Sequence, residues 1–164
     1  MRRFYADRNE YLGDPGYVKN PIPSLLDRGY FRVRRNSIDP AHATSSDQVN
    51  PGKLRGSEGA NTTHYSIVDE QGDAVAVTYT LNDGFGSGVT VPGAGFLLNN
   101  EMDDFAAKPG TPNLFELVQG EANAIAPGKR PLSSMAPTIV MKDGKTFMVI
   151  GSPGGSRIIT IILE

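Results

Sequence analysis

The apolar positions of this 164-residue chain change their rhythm partway along it. From Met1 to about Asn61 the sequence is rich in Arg, Asp, Ser and Pro. Within that stretch only Ser24 to about Ile38, with Leu25, Leu26, Tyr30 and Val33, carries the spacing of an amphipathic helix. His42 to Ala60 is polar and contains Pro51, Gly52, Gly56 and Gly59, which predicts an exposed connector leading to Thr62. Beyond it, Thr62 to Asp69 and Ala74 to Thr80 are dense in Val, Tyr and Thr and are separated by Glu70, Gln71, Gly72 and Asp73, the pattern of a hairpin. Thr138 to Lys142 and Thr146 to Gly151 form a second pair. The Asp143-Gly144 dipeptide between them suits the positive backbone angles of a type I′ turn, and Pro137 suits a strand start. Gly154 and Gly155 then open an apolar run, Ile158 to Leu163, that predicts the start of a helix. The sequence stops at Glu164 with no helix-ending residue, and it reads as cut at both ends.

Composition narrows the chemistry. Sixteen basic against 18 acidic residues leave a net charge of -2, with no basic block suited to a phosphate backbone, which argues against nucleic acid. At 38% hydrophobic the chain has no stretch apolar enough to cross a membrane. Cysteine is absent and only His42 and His64 offer imidazole, so neither a disulfide framework nor a structural metal is expected. The N-terminus has no apolar signal core.

Five strings in fixed order carry more information. They are Thr62-Thr63-His64-Tyr65-Ser66, Thr78-Tyr79-Thr80-Leu81-Asn82, Asn99-Asn100-Glu101-Met102-Asp103-Asp104-Phe105, Pro131-Leu132-Ser133-Ser134-Met135 and Gly151-Ser152-Pro153-Gly154-Gly155-Ser156. Together they resemble the γ-glutamyltransferase family across residues 62 to 164. Tyr5-Ala6-Asp7-Arg8, Tyr11-Leu12-Gly13-Asp14-Pro15 and Pro51-Gly52-Lys53 are similar to the end of that family's large subunit. The resemblance implies an α+β fold, part of the four-layer αββα sandwich of N-terminal-nucleophile hydrolases, truncated at both ends. It also implies a precursor that cuts itself between Asn61 and Thr62. Residues 1–61 would then be the tail of the large subunit and residues 62–164 the first part of the small, catalytic one. The partners implied are a γ-glutamyl donor such as glutathione, amino acid or peptide acceptors, and the remaining segments of the same precursor. No cofactor is implied, and the compartment implied is periplasmic or secreted. An isolated fragment would be inactive until complemented.

The residues suit that chemistry. A threonine hydroxyl needs an adjacent base, and the α-amine freed on Thr62 by cleavage is one. Alternatively, Thr62 is a β-branched residue beginning a strand. A hydroxyl–imidazole–carboxylate arrangement of His64 with Thr62 or Ser66 is rejected, because residues two apart on a strand lie about 6–7 Å apart, too far for a direct bond; His64 is read as a packing or hydrogen-bonding strand residue. By the resemblance, Thr80 orients the nucleophile, while Asn82, Glu101 and Asp104 hold the donor's α-ammonium. Two carboxylates and an amide carbonyl suit such a cation. Asp103 is given no ligand role. Ser133 and Ser134 match hydroxyls that bond the donor's α-carboxylate, although two serines after a proline equally form a plain turn. Gly154 and Gly155, at a strand-to-helix junction, match the oxyanion hole; a phosphate-cradling loop is disfavoured because no Lys-Ser/Thr follows. Phe115 stands where bacterial members of the family carry a lid tyrosine, and it lacks the hydroxyl. The nearest alternative is a sister branch, a cephalosporin-type acylase or a capsule-processing transpeptidase. The set Glu101, Asp104, Ser133 and Ser134, shaped for a free amino-acid head group, argues against it.

Overall fold

In the computed structural model, residues 1–45, 48–49 and 62–164 are described, so Asn61 and most of the expected connector lie outside the described residues. The chain forms both helices and antiparallel hairpins and divides into two compact units, Met1–Gly56 with Met102–Leu132, and Ser57–Glu101 with Ser133–Glu164. These are spatial groupings, whereas the boundary expected after Asn61 is covalent.

The second unit is built on two hairpins. Strands β1 (Thr62–Val68) and β2 (Ala74–Thr80) pair antiparallel with Thr62 opposite Thr80 and His64 opposite Thr78. The turn between them is fixed by Asp69, whose carboxylate accepts from the amides of Gln71 and Asp73 at 3.0 and 2.8 Å. Alternation decides which side chains are covered: Thr62, His64, Ala74, Ala76, Thr78 and Thr80 are half-buried, while Tyr65, Ile67, Val75 and Tyr79 are exposed. Strands β3 (Thr138–Lys142) and β4 (Lys145–Ile150) make the second hairpin, and Asp143 and Gly144 both take positive φ, as the type I′ turn requires. The two hairpins touch. The Thr146 hydroxyl donates to the carbonyl of Gly72 at 2.8 Å, and that of Ser66 to the carbonyl of Val149 at 3.4 Å. The chain leaves β4 through a 3-10 turn, Gly155–Arg157, into helix α4 (Ile158–Leu163), whose first residue is 1% exposed. The expected helix is therefore present.

The first unit was less visible in the pattern. It holds helices α1 (Arg2–Tyr11), α2 (Ile22–Leu25) and α3 (Arg28–Asn36). The single helix expected over Ser24 to Ile38 is two. Asp27 breaks it, taking extended backbone and accepting from the Tyr30 amide at 2.9 Å as the N-cap of α3. Helix α1 was not expected at all, because its buried residues are Ala6, Arg8 and Asn9 rather than an apolar stripe. Arg34 of α3 clasps α1 by a two-pronged pairing with Asp7, one bond being 3.1 Å, and by a 3.0 Å bond to the carbonyl of Arg3. The interior is strongly polar. Asn123, fully buried, donates to the carbonyl of Asp104 at 2.8 Å and to Gln119, and accepts from the Leu132 amide at 3.1 Å. Asp14, with a side chain 3% exposed, receives three bonds from Arg130, the guanidinium Nη2 at 2.8 Å and Nε at 3.1 Å and the backbone N–H at 2.9 Å.

Candidate active site

Thr62 and Thr80 occupy directly opposed positions of one ladder, where Cβ atoms sit about 4.5–5.5 Å apart. The Thr80 oxygen accepts from the amide of Asn82 at 2.9 Å, so its position is fixed from below. Asn82 itself is 5% exposed and adopts φ 76°, a left-handed conformation that asparagine tolerates better than most residues. That kink ends β2 and turns the chain toward Asn99 and Asn100. The Asn82 side-chain amide donates to the carbonyl of Asn100 at 3.2 Å, the Asn100 side chain accepts from the Asp83 amide at 3.0 Å, and the Asn100 amide donates to the carbonyl of Leu81 at 3.1 Å. Asn99 accepts from the Glu101 amide at 3.1 Å. Asn82 and Glu101 are thus brought to one corner of the second unit. Burial pushes the Glu101 carboxyl above its ordinary pKa.

Glu101 and Asp104 are the first and last residues of one 3-10 turn, within which the boundary between the two units falls. Asp104 belongs to the first unit, as does the buried Arg8, and the two charges interact; burial lowers the Arg8 pKa while Tyr5 and Asp104 oppose that shift. Asp103 is occupied in bracing the next loop: its carboxylate accepts from the Leu114 amide at 2.7 Å and its carbonyl from Asn113 at 3.1 Å. Phe115 is half-buried in the turn Asn113–Leu117, where its amide and that of Leu117 both donate to the Asn113 side chain at 3.0 Å.

Ser133 is exposed and Ser134 half-buried, in an extended stretch ahead of β3; the Ser133 oxygen accepts from the Met135 amide at 3.1 Å, a local turn contact. Gly154 and Gly155 have φ of 138° and 55° at the junction of β4 and the 3-10 turn. Among the described residues neither of their N–H groups donates to a protein acceptor. Gly154 is confined to glycine by its φ, and an added Cβ would also press on the Ile161 Cδ1 atom at 2.9 Å.

One expectation is corrected. The His64 imidazole does reach a hydroxyl two residues away: its Nε2 lies 3.0 Å from the Ser66 oxygen, and Nδ1 lies 2.8 Å from that of Thr78. The 6–7 Å separation holds for backbone atoms, and the ring's own length spans it when the side chain leans along the strand. Both ring nitrogens are engaged by hydroxyls other than that of Thr62. The sequence pattern gave no weight to the residues that brace the site, namely Asn99, Asn100, Asn113 and Arg8. Asn99, Asn100 and Arg8 stand inside the quoted strings, whereas Asn113, two residues before Phe115, lies outside them all.

The second unit thus brings together a β1 threonine opposed by a second threonine, a strand-to-helix pair of glycines and a braced Asn–Glu corner. The gamma-glutamyltranspeptidase family model matches residues 1–164, and the chain belongs to that family. It is 62% identical over 163 residues to the glutathione hydrolase proenzyme of a Pseudomonas species, covering 99% of this chain and 28% of the relative. Against the glutathione hydrolase proenzyme of Escherichia coli it is 59% identical, covering 98% of this chain and 28% of that protein. The chain therefore spans little more than a quarter of the length of these curated relatives. Its structure is similar to that of the gamma-glutamyltranspeptidase from Pseudomonas nitroreducens complexed with L-DON, with a TM-score of 0.60 and 64% identity over 62% of this chain and 52% of the other.

Proposed function

We propose that the protein to which this chain belongs moves a γ-glutamyl group from glutathione or a related γ-glutamyl amide to water or to an amino acid or peptide, after cutting itself between Asn61 and Thr62. The observation that carries this reading is the register that sets Thr62 against Thr80 and holds the Thr80 oxygen on the Asn82 amide. The proenzyme names of the relatives support the self-cleavage. So does the 62% of this chain covered by the solved structure, which is close to the share made up by Thr62–Glu164. In this reading residues 1–61 end the large subunit, residues 62–164 begin the small one, and the two hairpins are part of the inner layers of an αββα sandwich.

In maturation the Thr62 oxygen attacks the carbonyl carbon of Asn61, the peptide C–N bond breaks, and the resulting ester is hydrolysed by water, leaving a free α-amine on Thr62. An α-amine ordinarily titrates at about 7.7–8.0, so a useful neutral fraction takes the hydroxyl proton as Thr62 attacks the donor's γ-carbonyl. Thr80, its oxygen accepting from Asn82, donates its own proton toward the nucleophile. The N–H groups of Gly154 and Gly155 receive the oxyanion. The donor's amine leaves with the proton, and water or an acceptor amine attacks the ester in a second half-reaction. Asn82, Glu101 and Asp104 hold the donor's α-ammonium, and Ser133 and Ser134 its α-carboxylate. A Glu101 carboxyl raised by burial is one that an arriving cation relieves.

The test uses the full-length precursor. Intact mass should show two polypeptides for the wild type and a single uncut one for Thr62→Ala, and the variant should not turn over a γ-glutamyl anilide. A Thr62→Ala precursor that still splits before position 62 would remove Thr62 from both roles.

A further inference from the structure

His64 lies on the same face of β1 as Thr62, and its imidazole is pressed directly onto Gly151, the residue that follows β4. A Cβ added at Gly151 would collide with Cε1 and Nδ1 of His64 and fall 2.6 Å from Nε2. No side chain fits there without displacing the ring. The ring in turn is tied across the ladder to the hydroxyl of Thr78 and along the strand to that of Ser66, whose oxygen is itself 3.4 Å from the carbonyl of Val149 on β4. The imidazole thus touches β1, β2 and the exit of β4 at once. Its two neighbours in sequence terms are the proposed nucleophile, two residues before it, and the proposed oxyanion loop, which begins three residues after Gly151.

We propose that His64 is a positioning residue, a spacer matched to Gly151 that sets the distance between the strand bearing Thr62 and the loop bearing Gly154 and Gly155. It acts without exchanging protons with the nucleophile, because Thr78 and Ser66 occupy both ring nitrogens. The inference rests on the proposed role of Thr62. Attack on a carbonyl held by two backbone amides depends on the separation of nucleophile and oxyanion hole, and a displacement of about 1 Å costs on the order of a hundredfold in rate. Seated this way, the ring converts the packing of two hairpins into that separation.

A double-mutant cycle in the full-length precursor tests this. Gly151→Ala should lower the kcat for a γ-glutamyl anilide by about ten- to a hundredfold with KM changed less than about threefold, since the reacting atoms move and the head-group residues do not. His64→Ala should lower kcat by about tenfold. In the His64→Ala background, adding Gly151→Ala should cost less than about threefold, because the methyl then meets no ring. His64→Gln, able to bond Thr78 and Ser66, should recover part of the loss, and the shape of its kcat/KM against pH should match the wild type. The rate of self-cleavage, read by intact mass, should follow the same order. If His64→Ala does not accumulate as folded protein, His64→Gln and Thr78→Val, paired with Gly151→Ala, carry the cycle. Additive losses, an unchanged kcat in the His64 variants, or loss of a pH limb in His64→Gln would each overturn the proposal, the last by making His64 an acid–base group. Thr62→Ala separates the two ideas: if it is uncut and inactive while the His64 variants behave as wild type, only the spacer role fails.

Discussion

In the unit that carries Thr62, each candidate acyl-transfer group is placed by backbone: Thr62 and Thr80 by a ladder register, Gly154 and Gly155 by their φ values at a strand exit. In the unit that carries Asp104, placement is by buried polar side chains. Asn123 and Gln119 hold the carbonyl of Asp104, and Asn113 holds the turn of Phe115. The contrast has a chemical sense. In the proposed reading bond-making, which tolerates little positional error, sits on hydrogen-bonded strands, whereas Asp104, the one proposed head-group residue of the first unit, rests on an interior whose own bonds are directional. It also forecasts which kinetic constant each region governs.

The sharpest way to break the comparison is Gly154→Ala. The added methyl meets Ile161 at 2.9 Å and demands a φ that L residues rarely adopt, so the loop must shift and its amides with it. Loss of one oxyanion donor costs about a hundred- to a thousandfold in kcat. In the matured full-length protein, kcat should fall by that order while KM for the donor stays within a fewfold. A variant that loses KM instead would place these glycines with the head group.

Asp104→Ala should do the reverse. The α-ammonium loses a charge-assisted bond, worth about 1.5–3 kcal/mol, so the donor KM should rise about ten- to a hundredfold. Self-cleavage should proceed, since no donor takes part in it. Tm should fall as well, because the buried Arg8 loses the charge of Asp104, so KM is measured well below Tm of the variant. An unchanged KM would take Asp104 out of the head-group site.

The same contrast explains what could be read from the sequence. Strands β1 and β2 followed from runs dense in Val, Tyr and Thr set apart by turn residues, and the β3–β4 hairpin from its Asp143-Gly144 dipeptide, because those signals are local. Helix α1 was missed because the face it buries is Arg8 and Asn9, which no hydrophobic period marks. The apolar spacing of Leu25, Leu26, Tyr30 and Val33 runs unbroken across Asp27, and only its capping bond to the Tyr30 amide divides the segment. Asn123 and Asn100 gave no warning, since their partners lie up to 19 residues away in sequence and depend on the finished fold.

A smaller effect should separate scaffold from site within the first unit. Asp14 is held well below the usual carboxylate range, first by the Arg130 side chain, then by the backbone amides of Arg130 and Gly16. A carboxylate whose folded pKa is depressed adds stability above its unfolded pKa, about 3.9, and loses it as pH falls toward the folded value. Asp14→Asn should therefore lower Tm at neutral pH, and the gap from wild type should close as pH drops below about 4. Donor KM at neutral pH, measured well below Tm, should stay where it was. A gap that widens in acid would reverse the assigned sign.

The smallest expected change is at Phe115. Its turn is fixed by backbone bonds to the Asn113 side chain and by the Asp103 brace on Leu114, none of which involves the phenyl ring. Phe115→Tyr should therefore leave Tm unchanged, and any kinetic effect reports the added hydroxyl alone. One neutral hydrogen bond contributes about 0.5–1.5 kcal/mol, or roughly a two- to tenfold change in an equilibrium. If the turn closes over bound donor, the tyrosine variant should lower donor KM by that factor. It should also raise the ratio of transfer to hydrolysis, because a better-held lid keeps water from the ester while an acceptor amine binds. The ratio is measured by product analysis with a γ-glutamyl anilide and an added dipeptide. An unchanged KM and product ratio would mean that the ring at position 115 does not face the donor, and Asp104 would then be the first unit's only proposed contact with the donor among the described residues.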